Sequence, residues 1–71
     1  MNNKQLIAIC RGYERDNNLV CAEVLEQMYI DYFNDYLTTA QMAEHSELEL
    51  NTLEHALELG RTYNHETRNK L

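Results

Sequence analysis

Proline and tryptophan are absent from this chain, and glycine occurs only twice in 71 residues. With so few chain breakers, long helices are favoured and a turn-rich β fold is disfavoured. Cysteine is scarce as well: Cys10 and Cys21 are too few and too far apart for a metal knuckle or a CxxC redox pair. A bridge between them needs closely packed helices and an oxidising compartment, so buried free thiols are the plainer expectation. No stretch approaches the roughly 20 apolar residues that cross a bilayer. The opening segment, MNNKQLIAICRGYE, has no long apolar core and no small-residue cleavage site, so the expected location is cytoplasmic.

Positive charge is the most informative shortage. Lys4, Arg11 and Arg15 lie at the front, and Arg61, Arg68 and Lys70 at the back. From Asp16 through Gly60 there are ten carboxylates and no Lys or Arg, within a chain of net charge −6. That imbalance argues against a phosphate-gripping surface and for a basic partner.

What is present describes a small folded domain spanning residues 1–71. The 44% hydrophobic content is that of a globular chain. A chain of this length buries only roughly 60% of its unfolded surface and sits near the lower limit for independent folding. Apolar residues recur at helical spacing in Leu6, Ile7, Ile9, Cys10 and Tyr13, which predicts a first helix from Lys4 to about Arg15. Asp16, Asn17 and Asn18 supply turn chemistry. A second helix is expected from Leu19 to Tyr36, burying Val20, Val24, Leu25, Met28, Tyr32 and Tyr36, with Tyr29 and Phe33 flanking. Thr38 followed three residues later by Gln41 is a capping-box pattern, predicting a short third helix to Ser46. After a break at Glu47–Glu49, a fourth helix from Leu50 to about Tyr63 should bury Leu53, Ala56, Leu57, Gly60 and Tyr63. Residues 65–71 are expected to fray. The fold class is all-α, a bundle of about four helices.

Residues 37–61, LTTAQMAEHSELELNTLEHALELGR, are similar to the helix-turn-helix motif of many small regulators. Ala43 permits close helix approach, while Leu48, Leu53 and Ala56 seal the corner. The chain departs from that family at Glu47, where glycine usually takes a left-handed turn conformation; glutamate there implies strain or a different turn. The resemblance implies a DNA reader, but the reading region holds Glu47, Glu49, Asn51, Thr52, Glu54 and His55, which repels phosphate. The wider pattern, an aromatic helix running into DYLTTAQMAEH and then ALELGRTYNHE, resembles small accessory proteins of tailed bacteriophages. That resemblance implies a protein of the bacterial host cytoplasm that binds and retunes or blocks a host factor.

Catalytic chemistry finds no constellation. His45, His55 and His65 are ten residues apart and do not share a helical face, and HEXXH is absent. Carboxylate pairs at helical spacing (Glu23/Glu26, Asp31/Asp35, Glu54/Glu58) need a pocket to become acid and base, and a chain this short rarely builds one. Ser46 has no triad context, and no glycine-rich phosphate loop occurs. The expectation is therefore a binding protein, not an enzyme, with no cofactor and no metal. Glu23, Glu26, Asp31, Asp35, Glu47, Glu54 and Glu58 are the candidate acidic surface. Rows of carboxylates one ~5.4 Å turn apart also approximate phosphate spacing, so nucleic-acid mimicry is a narrower form of the same idea. Tyr29 and Phe33 are the candidate interface aromatics, since large rings with polar edges favour interface centres. A protein with a basic surface is the expected partner; a homodimer stays open. The alternatives are a DNA-binding regulator and a structural accessory subunit.

Overall fold

The computed structural model describes residues 1–69, and those residues form four α-helices. They are α1 (Asn3–Asp16), α2 (Leu19–Asp35), α3 (Thr39–Ser46) and α4 (Leu50–Asn69). No strand occurs among the described residues, and none of their helices is long and apolar enough to cross a membrane. The molecule is a slab of 33 × 24 × 15 Å.

Each boundary has a chemical cause. At the start of α1, Asn2 Oδ1 accepts from the Gln5 N–H at 2.8 Å, and Gln5 Oε1 accepts from the Asn2 N–H at 2.9 Å. This reciprocal cap satisfies donors that have no partner within the helix. α1 stops where Asn17 turns left-handed (φ 49°, ψ 38°), a conformation asparagine tolerates. Asn18 then caps α2, its Oδ1 accepting from the Cys21 N–H at 3.1 Å. The expected cap of α3 forms by half. Thr38 Oγ1 accepts from the Gln41 N–H at 3.1 Å, but the Gln41 side chain accepts from Leu37 N–H at 3.0 Å instead of from Thr38.

α2 and α4 are the principal packed pair and run in opposite directions: Leu25 lies beside Gly60, while Tyr29 and Tyr32, further along α2, border Leu57 and Glu54, earlier in α4. Gly60 makes this possible. A Cβ there would sit 2.2 Å from the Leu25 carbonyl oxygen, so only hydrogen lets the two backbones come this close. α1 packs antiparallel to α2 through the two-residue turn, and crosses to α4 where Tyr13 and Tyr63 meet edge-on, centroids 5.9 Å apart. Asn3 Oδ1 accepts from the Glu49 N–H at 2.7 Å and ties the head of α1 to the head of α4.

The core comprises Leu6, Cys10, Leu25, Met42, Ala43, Leu48, Leu53, Ala56 and Leu57, with Ile9, Tyr13, Met28, Tyr29, Tyr32 and Tyr36 packed around it. Two sequence expectations change. Val20, assigned to the buried face of α2, is 71% exposed. It lies five positions from Leu25, about 140° around the helix at 100° per residue, so the two cannot share a buried face, and Val24, assigned to the same face, is half-buried and outside the core cluster. α4 also continues past Tyr63 to Asn69, so helix covers most of the stretch expected to fray; Lys70 and Leu71 lie outside the described residues. No glycine or proline follows Gly60 to break it, and the Thr62 hydroxyl bonds back to the Glu58 carbonyl at 3.0 Å.

Candidate protein-binding surfaces

The α3–α4 corner sets how the acidic residues are presented. Glu47 adopts the left-handed conformation (φ 57°, ψ 39°) that the helix-turn-helix family gives to glycine. Its N–H donates to Glu44 O at 3.2 Å and the Leu48 N–H to Ala43 O at 2.9 Å. These paired bonds are a Schellman closure, with Leu48 buried back against Ala43. The corner therefore closes with a left-handed glutamate, costing about 1 kcal/mol. The carboxylate itself remains exposed.

The remaining acidic candidates do not form one row. Glu26, nine positions from Asp35, lies about 180° around α2 from it. Glu26 is half-buried and accepts from Asn64 Nδ2 at 2.9 Å, so its charge serves the α2–α4 contact. Asp31, also half-buried, accepts from Gln27 Nε2 at 2.9 Å. Glu23 and Asp35 are exposed. Such a spread is a poor copy of a phosphate backbone along α2.

Two groupings do emerge. On the α2–α4 side, Glu54 and Glu58 sit one turn apart on the exposed face of α4. They border a shallow groove of about 240 Å³ together with Tyr29, Tyr32 and Arg61. Thr39 Oγ1 donates to Glu54 at 3.1 Å, fixing that carboxylate relative to α3. Tyr29 stacks obliquely on Phe33, centroids 6.1 Å apart, and Phe33 is 73% exposed. Both candidate aromatics and two candidate carboxylates thus share one side of the molecule. Phe33 is the exposed apolar ring there, and Tyr29 is half-buried.

The second grouping was not foreseen. Where the end of α2 meets α3, an open cleft of about 510 Å³ is bordered by Asp31, Asp35, Tyr36, His45 and the thioethers of Met28 and Met42. Tyr36 Oη lies 2.6 Å from His45 Nδ1, which latches α3 to the end of α2. The sequence signal was available: Tyr36 closes α2 and His45 sits in the last turn of α3, so a short connection brings them together.

The histidines are engaged separately. His55 Nε2 is 3.1 Å from Glu14 Oε1, joining α4 to α1, while His45 holds Tyr36 and His65 is exposed. Among the described residues, no three His, Cys, Asp or Glu side chains gather as metal ligands do. Cys10 is buried and Cys21 half-buried, and both are free thiols. Burial, followed by the nearby charge of Glu14, pushes the Cys10 thiol up to about 11, so it stays protonated and unreactive at neutral pH. Tyr13 is raised as well, mainly by burial and then by Glu66.

The fold is a small all-α bundle, and one side carries a groove edged by Tyr29 and Tyr32 and bordered by Glu54, Glu58 and Arg61. In comparisons with family models, curated proteins and solved structures, the chain matches none.

Proposed function

We propose that this chain is a binding protein that takes a protein partner with a basic surface and modulates or inhibits it. A bacterial host factor is the partner class that the bacteriophage resemblance implies. The observation that carries the reading is the pairing of a cation-free middle with an exposed aromatic. From Asp16 through Gly60 there is no Lys or Arg, and Glu54 and Glu58 share a groove with Tyr29, on which Phe33 stacks, with Arg61 the one cation at its border. Carboxylates steer a basic partner during encounter, and a ring such as Phe33 supplies the apolar anchor that holds it. No catalytic role is assigned to any residue.

The DNA-binding alternative has the α3–turn–α4 geometry in its favour, including the left-handed corner. It is opposed by the charges on the helix that would enter the groove, since Glu49, Glu54 and Glu58 on and before α4 face solvent. The two readings part in a simple binding assay. A basic peptide surface such as immobilised polylysine-tagged protein should retain the chain at low salt, while labelled duplex DNA should show no shift. A duplex shift at low salt that fades steeply as salt rises would replace the proposed reading with the DNA one.

A further inference from the structure

We infer that the chain pairs with a second copy of itself through the outer face of the α1–α2 hairpin, basic α1 of each copy lying over acidic α2 of the other. Lys4, Arg11 and Arg15 recur at spacings of seven and four. That places them within about 40° of one another on α1, on the side turned away from buried Leu6. All three are exposed, and Ile7, itself 40% exposed, and Ala8 lie beside them. The outer side of α2, turned away from buried Leu25, carries Val20, Glu23, Val24, Gln27 and Asp31 and no cation. Among the described residues the one ion pair is His55–Glu14, so neither row has an ionic partner within the chain, although half-buried Asp31 accepts from Gln27 Nε2 at 2.9 Å on its own helix. One molecule therefore carries both halves of a complementary surface.

Symmetry sets the register. A twofold axis parallel to the hairpin, lying in the contact plane, places α1 of one copy antiparallel over α2 of the other and keeps every residue at its own height. Heights can be read across the hairpin, because Gly12 faces Cys21, with a Cβ on Gly12 falling 2.7 Å from Cys21 Sγ. Residues whose numbers sum to about 33 are thus level. Arg11 comes within about 1.5 Å of axial rise of Glu23, and Lys4 within about 3 Å of Asp31. Each pair occurs twice by symmetry, with Ala8 and Val24 between them and Val20 beyond Glu23 toward the turn. By contrast, an α2–α2 pairing would set Glu23 and Asp31 against their own copies.

The area limits the strength. α1 has 14 residues, so it is about 21 Å long. A two-helix face about 20 Å wide then covers on the order of 400 Å² per copy, half of the ~800 Å² in a standard interface. The dimer should therefore be weak and dependent on charge. It leaves Glu54 and Glu58 on α4 uncovered, so it stands independently of the proposed function.

Sedimentation equilibrium across a concentration series, at low and high salt, tests it. The wild-type chain should be a monomer–dimer equilibrium whose dissociation constant rises roughly tenfold or more at high salt. A chain carrying Lys4→Glu and Arg11→Glu should be monomeric, as should one carrying Glu23→Arg and Asp31→Lys. An equimolar mixture of these two should give a 1:1 dimer, and all four changes in one chain should restore self-association. Circular dichroism establishes that each variant keeps its helical content. A wild-type chain that stays monomeric throughout overturns the inference. So does self-association that survives Lys4→Glu with Arg11→Glu, or a folded four-change variant that remains monomeric.

Discussion

At the scale of single residues, two side chains sit where their chemistry is strained or suppressed. Glu47 holds a left-handed backbone that costs an L-residue with a Cβ about 1 kcal/mol and glycine almost nothing. Glu47→Gly should therefore raise unfolding stability by about 1 kcal/mol, read as a higher urea midpoint with an unchanged slope. Unchanged or lower stability would mean that the corner does not carry that strain. The position was legible in the sequence, because the similarity to the helix-turn-helix motif marks where glycine is missing; that the turn survives was not. Cys10 gives a pH prediction. Its thiol is pushed from the ordinary value of 9.0 to about 11 by burial and then by Glu14. Between those values the unfolded chain has lost the proton that the folded chain keeps. Stability is thus fully present below pH 9 and falls as pH rises towards 11, by up to about 3 kcal/mol. Tyr13, also raised, acts in the same direction. Urea melts at pH 8 and pH 10.5 check the fall, and Cys10 should react with a thiol reagent more slowly than half-buried Cys21.

At the scale of the elements, the two glycines separate what a helix tolerates from what a helix pair tolerates. The same change, glycine to alanine, should have different outcomes at the two sites. At Gly60 the added carbon meets the Leu25 backbone at 2.2 Å, so α2 and α4 must part; a loss of about 3 kcal/mol is expected. At Gly12 it meets only the Cys21 sulfur, the end of a movable side chain. The better helix propensity of alanine, worth about 1 kcal/mol, offsets that crowding and leaves stability within about 1 kcal/mol of wild type. Thermal melts of the two variants decide it, and equal losses at both sites would contradict the packing described. Helix positions were legible because Asn17–Asn18, Thr38 and the Glu47 corner punctuate an otherwise unbroken chain. The buried side of α2 was not. Leu19, Val20 and Phe33 put apolar residues outside as well as in, so periodicity alone could not separate Val20 from Leu25. Gly60 was readable as a buried position, but its backbone contact with Leu25 depends on how two distant helices meet.

At the scale of the whole molecule, charge segregation organises the surface. The cations of the front segment fold onto the outside of α1, while the cation-free middle supplies α2, α3 and the first half of α4. The sequence offers seven acidic candidates; folding redistributes them. Glu26 turns inward to Asn64, Asp31 and Asp35 border the cleft beside Tyr36, and Glu54 and Glu58 share a groove with Tyr29. Which carboxylates group together was unreadable from composition, because the grouping depends on α2 and α4 running side by side in opposite directions. The central claim is that the Glu54–Glu58 face beside Phe33 recruits a protein. Its most direct measurement is quantitative capture from bacterial lysate by the immobilised wild-type chain and by its Glu54→Lys, Glu58→Lys variant, with bound proteins identified by mass spectrometry. The account predicts a defined basic protein held by the wild-type chain and depleted at least tenfold on the folded variant. Equal capture by both would contradict it.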